Sequence, residues 1–268
     1  MLKHRPIYVI GDVHGHLQKL LDLLRDDVHL LDENLAWIGG DATLWFMGDF
    51  FDRGPDGIGV MDLIMRLQQE APASGGSVKA LLGNHDVTLL SAARFPHERT
   101  KGPAGTFIGD WKRNGGQEND LERLQDHHIA WLKTLPAMAR VQGRIFIHAD
   151  SNLYVRYGRT IDEVNAAFSE LIHSEDLARW DKLLSEFSEH KAFFDRGKNG
   201  TASAIEFLRV YGGAQLIHGH TPINTMTSQP ASKIHAGYYY ANGLCVNMDG
   251  GMYLGGEGFV YELPPLLV

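Results

Sequence analysis

Five short apolar runs in this chain each end at a residue or motif that carries acidic, amide or imidazole side chains. The runs are Ile7 to Ile10, Thr43 to Met47, Val78 to Leu82, Arg144 to Ile147 and Ala214 to Ile217. The motifs that follow them are Gly11-Asp12-Val13-His14-Gly15, Gly48-Asp49-Phe50-Phe51-Asp52-Arg53-Gly54, Gly83-Asn84-His85-Asp86, His148 and Gly219-His220-Thr221-Pro222. Short apolar runs bounded by turn residues predict buried strands. Because all five end in the same way, we predict one sheet edge that gathers these polar side chains.

The first half of the chain alternates strand patterns with helix patterns. Apolar residues recur at helical spacing over residues 16–31 and 57–70, directly after the first two motifs. This alternation predicts an α/β layered fold, whose ligands collect at the carboxyl ends of the strands. The end of the chain returns to strand patterns, over residues 238–241, 244–248 and 258–263.

Two segments interrupt the alternation, at about residues 87–140 and 153–194. Both have helical patterns and neither contains a strong strand. We predict that they are helical insertions into a single domain spanning residues 1–268, and that they form lids or substrate walls over the sheet edge. The alternative is that these helices only pack on the scaffold.

Composition excludes several classes of protein. The net charge is −8 and the isoelectric point is about 5.9, which argues against binding to a nucleic acid duplex. Cys245 is the only cysteine, so no disulfide forms within the chain, and a reducing cytoplasm is expected. No stretch approaches the ~20 apolar residues that a membrane helix needs, so no membrane partner is expected.

Oxygen and nitrogen donors in the motifs form a candidate site for two metal ions. The six predicted ligands are Asp12, His14, Asp49, Asn84, His148 and His220. Asp12 and His14 alternate along an extended strand end and share a face, so both can reach one ion. Asp49 has two oxygens and can bridge two ions. Mixed carboxylate and imidazole ligands suit Mn²⁺, Fe or Zn²⁺. A pair of ions about 3.5–4 Å apart activates a water and neutralises phosphate oxygens, which predicts phosphatase chemistry.

The motifs together resemble the phosphoprotein phosphatase family of calcineurin-like metallophosphatases. Gly11–Gly15, Gly48–Gly54 and Gly83–Asp86 match its signatures, and Gly219–Pro222 is similar to its C-terminal histidine motif. Residues 249–256 resemble its closing strand motif, and the approach to Gly48 is similar to that of the bacterial-type Shewanella-like branch. The resemblance implies a four-layer fold, with a β-sandwich of two mixed sheets flanked by helices and helical insertions at the active-site rim.

The resemblance also implies roles for individual residues. Asp12, His14 and Asp49 hold one ion, Asp49 bridges, and Asn84, His148 and His220 complete the other site, with Mn²⁺ expected first and Fe or Zn²⁺ as alternatives. A hydroxide held by the two ions attacks phosphorus directly. His85 is the general acid and Asp52 orients it. Arg53, Asn84 and Arg196 (in Asp195-Arg196-Gly197) bind the substrate phosphate.

The function that we predict from this resemblance is a serine/threonine protein phosphatase acting on a phosphorylated protein or peptide, or on a small phosphorylated metabolite. One alternative is a dinucleoside polyphosphate pyrophosphohydrolase, in which Trp111 or Trp131 would stack on a base. Relatives of that class usually lack an acid at the position of Asp52, which favours phosphomonoesters. A second alternative is a binding module without activity. Asp150 is expected to add negative charge beside the substrate pocket.

Overall fold

The computed structural model describes residues 5–195 and 199–265, and its strands form two mixed sheets. The strands are β1 (Ile7–Ile10), β2 (Thr43–Phe46), β3 (Ser77–Ala80), β4 (Met138–Val141), β5 (Arg144–Ile147), β6 (Gln215–His218), β7 (Tyr238–Tyr240), β8 (Cys245–Asn247) and β9 (Val260–Glu262). The first sheet has the order β3-β2-β1-β9, and only β9 is antiparallel to its neighbour. The second has the order β4-β5-β6-β8-β7, with parallel β5, β6 and β8 between two antiparallel edges.

The two sheets pack face to face, and the alternation of side chains along each strand explains how. Val9 of β1 belongs to the same buried cluster as Phe146 of β5, and Trp45 of β2 meets the Phe146 ring edge-on at 5.4 Å. Ile10 and Leu44, one residue away along their strands, belong to the larger cluster that the helices cover. This period of two places one face of each sheet against the other sheet and the opposite face against helices.

Helices cover the outer faces of the sheets. They are α1 (Leu17–Asp22), α2 (Gly57–Glu70), α3 (Asn84–Arg94), α4 (Phe107–Arg113), α5 (Glu118–Arg123), α6 (Asp126–Leu132), α7 (Ile161–His173), α8 (Leu177–Phe187), α9 (Gly200–Tyr211) and α10 (Ile223–Thr227). Helix α2 packs on β3, α7 on β4 and α9 on β6. The predicted sandwich of two mixed sheets between helices is confirmed. Within the described ranges, no helix is both long and apolar enough to cross a membrane.

The second predicted helix has the bounds that its sequence pattern indicated, whereas the first is shorter. Helix α2 begins after Asp56, whose side chain accepts the Gly59 N–H at 2.8 Å and caps the helix. Helix α1 continues only as a π-helical turn, Leu23–Asp27, and His29 then takes a left-handed conformation with φ 51°. The predicted end at residue 31 was therefore wrong, because Leu30 and Leu31 turn back into the core.

Strand β4 lies at the end of the first insertion, where we predicted no strand. It pairs with β5 in a hairpin whose two loop residues, Gln142 and Gly143, have φ values of 45° and 77°. A loop with two residues at positive φ matches the twist of antiparallel strands. The pairing of Met138–Val141 with β5, rather than its own short pattern, makes it a strand. The remaining insertion residues are mainly helical, and the extent of the domain stays a prediction.

Candidate metal centre

Backbone hydrogen bonds from one motif to the next hold the predicted site residues together. The Asp12 carboxylate accepts the His220 N–H at 3.0 Å, and Asp49 Oδ1 accepts the His85 N–H at 2.9 Å. Asp86, the last residue of its motif, accepts the N–H groups of Asp49 at 3.1 Å and of Gly83 at 2.8 Å. The motifs thereby meet in one place, but they follow strands of two sheets, whereas the sequence predicted the edge of a single sheet.

Glycines at the start of two motifs permit this close approach. A Cβ atom on Gly83 would lie 2.2 Å from Asp49 Oδ1, and one on Gly219 would lie 2.1 Å from Asp12 Oδ1. Both distances are far inside van der Waals contact, so any side chain there would displace a carboxylate. The glycines therefore let peptide groups bind carboxylates that face the centre.

Several centre residues other than glycine have left-handed backbone conformations. The φ values are 46° for His14, 55° for Asp49, 67° for Asp52, 67° for Arg53 and 68° for His220. Such conformations are uncommon for residues with a Cβ atom and cost on the order of 1–3 kcal/mol each when they are strained. The hydrogen bonds between motifs compensate for this cost and keep the side chains aimed at a common point.

Four potential ligand atoms converge on one side of Asp49. The Asn84 Oδ1 atom lies 2.9 Å from His148 Nε2 and 2.9 Å from His220 Nδ1, and Asp49 Oδ1 lies 3.3 Å from His148 Nε2. Ligands bound to one ion at ~2.1 Å are separated by roughly 3 Å when neighbouring bonds are close to perpendicular. This spacing suits one cation held by an amide oxygen, a carboxylate oxygen and two imidazole nitrogens.

The other oxygen of Asp49 faces a second group. His14 Nε2 lies 3.7 Å from Asp49 Oδ2 and 3.9 Å from Asp12 Oδ2. His14 Nδ1 donates to the Phe51 carbonyl at 2.8 Å, so Nε2 is the nitrogen left to bind a metal. The two oxygens of Asp49 thus point to two different sets of ligands, which is the arrangement that a bridging carboxylate requires.

The buried carboxylates of the centre also favour the binding of cations. Asp12, Asp49 and Asp249 are all at most 2% exposed. Burial, followed by the charge of Asp249, raises the pKa of Asp12 well above its usual range. Burial and the charge of Asp49 raise the pKa of Asp249 to about 7, and its Oδ2 atom has no hydrogen-bond donor among the described residues. Divalent cations would relieve this repulsion between carboxylates. Asp249 was not among the predicted ligands, although its motif follows β8 as the others follow their strands.

His148 is also affected by the carboxylates of the centre, which favour its protonated form. Its Nδ1 atom donates to the Met47 carbonyl at 2.8 Å, which fixes the ring and leaves Nε2 toward Asn84 and Asp49. Burial alone would lower its pKa, but the carboxylate of Asp49 outweighs burial and raises it to about 10. The protonated His148 ring directs its Nε2 atom toward Asp49. A bound metal ion would take the place of the Nε2 proton.

His85 and Asp52 form a buried pair beside these ligands. His85 Nδ1 and Asp52 Oδ2 are 2.6 Å apart, and Asp52 is 0% exposed. The other oxygen of Asp52 accepts the indole N–H of Trp111 at 2.7 Å. The pair therefore has its carboxylate held from both sides, with His85 Nε2 left to face the cavity.

Arg53 lies between the two groups. Its guanidinium is 3.0 Å from His14 Nε2 and 2.9 Å from His85 Nε2, and it stacks 4.0 Å above the centre of the Tyr253 ring. Its backbone N–H bonds the Gly115 carbonyl of the first insertion at 2.7 Å. A guanidinium placed here can donate to phosphate oxygens at the same edge. Arg196, the other predicted phosphate-binding arginine, lies outside the described residues.

Asp150 lies behind the wall of the cavity, in contact with two residues that line it, Thr221 and Lys191. It is 0% exposed, and its carboxylate accepts the Thr221 hydroxyl at 2.5 Å and the Lys191 N–H at 2.9 Å. These hydrogen bonds stabilise the buried carboxylate and join the end of the second insertion to the motif of His220. Lys191 itself has φ 62° and lines the cavity above the metal ligands, a role that its sequence context did not indicate.

The tryptophans proposed for base stacking are not available for it. Trp111 is 0% exposed, and its N–H is bound to Asp52. Trp131 donates to Gln68 at 2.7 Å and packs its ring on Phe50 at 5.6 Å, away from the cavity at the centre.

A further cluster, formed by Asp62, His127 and His128, lies away from this edge. His128 Nδ1 accepts the Gln125 N–H at 3.0 Å, so its Nε2 atom carries the proton that bonds Asp62 at 2.9 Å. Neither nitrogen has a lone pair free for a metal. His128 therefore acts as a buried cap of helix α6.

Fold and site together define a metal-dependent phosphatase, a hydrolase of phosphate esters. A sequence profile described as calcineurin-like phosphoesterase matches residues 5–224, and the chain belongs to this family. The family implies divalent metal ions, in agreement with the cluster of histidines and aspartates.

Individual relatives point in two directions. The chain is 26% identical over 264 residues to Shewanella-like protein phosphatase 1 of Plasmodium berghei, covering 92% of this chain and 67% of that protein. It is also 26% identical over 196 residues to the symmetrical bis(5'-nucleosyl)-tetraphosphatase of Neisseria gonorrhoeae, covering 73% of this chain and 60% of that protein. The crystal structure of a cold-active protein-tyrosine phosphatase of a psychrophilic Shewanella species has the same fold, with a TM-score of 0.72 at 20% identity over 96% of this chain and 74% of that one. The resemblance to the Shewanella-like branch is confirmed.

Proposed function

We propose that this chain is a Mn²⁺-dependent phosphatase that removes phosphate from phosphoserine or phosphothreonine in proteins. The observation that carries the proposal is the buried Asp52–His85 pair, 2.6 Å apart, directly beside the carboxylate of Asp49 with its two sets of ligands. A general acid in this position suits the departure of an alcohol, which is a poor leaving group unless it is protonated. The lone, buried Cys245 is in keeping with a cytoplasmic location.

The ligand sets follow from the two sides of Asp49. We assign Asp12, His14 and Asp49 to one ion, and Asp49, Asn84, His148 and His220 to the other. Bound divalent ions would supply Lewis acidity toward phosphate oxygens and lower the pKa of water. Mn²⁺ is the first choice because a mixed set of carboxylate, amide and imidazole ligands suits it, and Fe or Zn²⁺ are the alternatives.

The remaining steps belong to side chains of this chain. Asp52 accepts a hydrogen bond from Nδ1 of His85 and so directs the Nε2 atom toward the cavity, where a proton carried by Nε2 would pass to the oxygen of the departing alcohol. Arg53, which contacts both His14 and His85, exchanges those contacts for phosphate oxygens when a substrate enters. Asn84 and Arg196 are proposed to contact the phosphate as well.

The second candidate is hydrolysis of a dinucleoside polyphosphate, favoured by the similarity to the Neisseria protein. The structure supplies no reason to prefer it, because Trp111 and Trp131 are both engaged away from the cavity. Hydrolysis of a phosphoanhydride also releases a phosphate as the leaving group. A phosphate depends less on protonation by a general acid than an alcohol does.

The test compares a phosphothreonine peptide with diadenosine tetraphosphate, using metal-stripped protein resupplied with Mn²⁺. Release of phosphate from the peptide, restored by the metal, supports the proposal. Cleavage of the dinucleotide alone would assign the chain to the nucleotide class. If neither substrate is cleaved although two ions per chain are bound, the phosphatase reading fails and a binding module remains.

A further inference from the structure

A large cavity extends away from the metal centre between the two helical insertions. Its volume is about 650 Å³, within the ~300–1,000 Å³ range of ligand sites. Asn84, Asn114 and Ser188 line both this cavity and the smaller one, of about 310 Å³, that contains His85 and Arg53. A substrate with its phosphate at the metal centre can therefore continue into the larger cavity.

Both insertions contribute walls. The first supplies the turn Lys101–Pro103 and the end of helix α4 around Arg113, and the second supplies helix α8 from Ala178 to its end. These segments are joined by a bond of 3.0 Å from the Lys101 N–H to the Asp181 carboxylate. The cavity is thus a defined groove between the insertions, which we call the insertion groove.

The acids of the insertion groove are already bound to protein donors. Asp110 accepts the Ala104 N–H at 2.8 Å and the Thr100 hydroxyl at 2.5 Å, and Asp181 accepts the Lys101 N–H. Glu186 accepts the Tyr157 hydroxyl at 2.7 Å and lies 3.3 Å from Arg156. Their oxygens are therefore turned toward donors in the walls, although Asp110 and Asp181 bond only neutral donors and keep their negative charge.

The cations of the groove are not bound in this way. Among the described residues, no carboxylate lies within ion-pair distance of the side chains of Lys101 and Arg113, and Lys182 has only a contact of 3.9 Å with Glu186. Three cationic side chains thus remain able to donate to a ligand. Anionic groups of a ligand, beyond its reacting phosphate, can accept hydrogen bonds from these cations, whereas the carboxylates of the groove are turned toward donors in the walls.

The chemistry of the walls also separates peptides from nucleotides. None of the described residues that line the insertion groove is aromatic, so a base has no ring on which to stack. Polar side chains and the backbone of Gly102 and Pro103 suit an extended peptide instead.

We propose that the insertion groove binds the acidic residues that flank the phosphorylated residue of a peptide substrate, and that Lys101, Arg113 and Lys182 recognise them. This inference rests on the proposed function, because it names the substrate class of the same centre. The cations act on affinity for the peptide and not on the chemical step.

The test is a double charge reversal, Arg113→Glu with Lys182→Glu. Its matched control is Lys112→Glu with Arg179→Glu, which changes the net charge equally on the same two helices but removes only exposed pairs with Glu118 and Glu170. Four substrates are compared in Mn²⁺ for the wild type and both variants: p-nitrophenyl phosphate, a phosphothreonine peptide flanked by Asp and Glu, the same peptide flanked by Ala, and diadenosine tetraphosphate.

We expect the groove variant alone to lose about 10- to 30-fold in kcat/KM on the acidic peptide, because attraction at two exposed sites becomes repulsion. Its activity on p-nitrophenyl phosphate should match the wild type, which also shows that it is folded. Equal effects on the acidic and alanine-flanked peptides, or equal losses in the control variant, would overturn the inference while leaving the phosphatase intact. Selective loss of diadenosine tetraphosphate hydrolysis would replace the peptide with a nucleotide. Wild-type protein inactive on every phosphomonoester would overturn both proposals.

Discussion

The metal centre and the insertions around it are built in different ways. The centre draws its ligands from motifs at strand ends, and each motif is bonded to another through buried backbone groups, as His220 is to Asp12. The insertions are helices that reach the centre through few contacts, chiefly Trp111 on Asp52 and Lys191 on Asp150. The first region determines which reaction is possible. The second contacts Asp52 and lines the cavities, and our proposals give it a part in positioning and substrate selection, so changes there should alter rate and affinity by smaller factors.

The largest effect is expected for His85→Asn, at the centre. Removing the proton donor should lower kcat by about 10²–10⁴-fold while the bound metal remains, because His85 is not among the proposed ligands. Turnover and metal content are measured together, with His127→Asn, an exposed histidine of the first insertion, as the control. Near-normal turnover with full metal content would remove His85 from the mechanism. It would also mean that changes in the centre need not have larger effects than changes in the insertions.

A smaller effect is expected for Trp111→Phe, where the first insertion touches the centre. The ring is retained, but Asp52 loses a hydrogen bond of 2.7 Å and keeps a buried oxygen without a donor. Such a loss costs ~1–3 kcal/mol, so kcat should fall roughly tenfold and its dependence on pH should change with the orientation of His85. Trp131→Phe removes an equivalent N–H that bonds Gln68 and should leave both unchanged. Identical profiles for the two variants would mean that the insertion does not position the pair.

A still more limited effect is expected for Lys191→Met, where the second insertion meets the cavity. Loss of this cation should raise KM for a phosphopeptide about fivefold to tenfold with little change in kcat, since a partly exposed charge contributes ~1 kcal/mol to an ion pair. Arg196→Met, measured beside it, tests the arginine assigned from the sequence motif. An effect confined to Arg196→Met would support the phosphate contact proposed for that arginine and leave Lys191 only its backbone bond to Asp150.

The smallest effect on activity is expected for Asp120→Asn, where the first insertion is anchored to the scaffold. Asp120 accepts the N–H groups of Gly57 and Ile58 at 2.9 and 3.1 Å, and burial raises its pKa to about 6. The native state then holds this proton more tightly than the unfolded state does. The stabilisation it contributes is complete below pH ~4 and is lost as the pH rises through about 6.

Urea unfolding measured from pH 4 to 7 tests this pH dependence of the stability. The free energy of unfolding of the wild type should fall by ~1–3 kcal/mol relative to Asp120→Asn across that range, with turnover little changed. Glu122→Gln, an exposed change on the same helix, is the control. Parallel curves for the wild type and Asp120→Asn would show that the insertion is not anchored through a strained buried acid.

The centre was largely predictable because its signals are local. A strand, a glycine and an acid or imidazole within a few residues predict both the strand end and the donor, and β1, β5 and α2 have the predicted bounds. Strand β4 was missed because its partner β5, and not its own sequence, makes it a strand. Asp249 follows the same local rule as the predicted ligands and could have been found from it.

The sequence by itself determined the reaction class, the α/β layers and the candidate donor residues, because these depend on residue types at short spacing. The tertiary structure alone decided which long-range partner each side chain meets. Asp150 turned inward to Lys191 and Thr221, and Trp111 reached Asp52 from 59 residues away. Contacts of this kind depend on how separate elements pack, and short-range patterns carry little information about packing between distant segments.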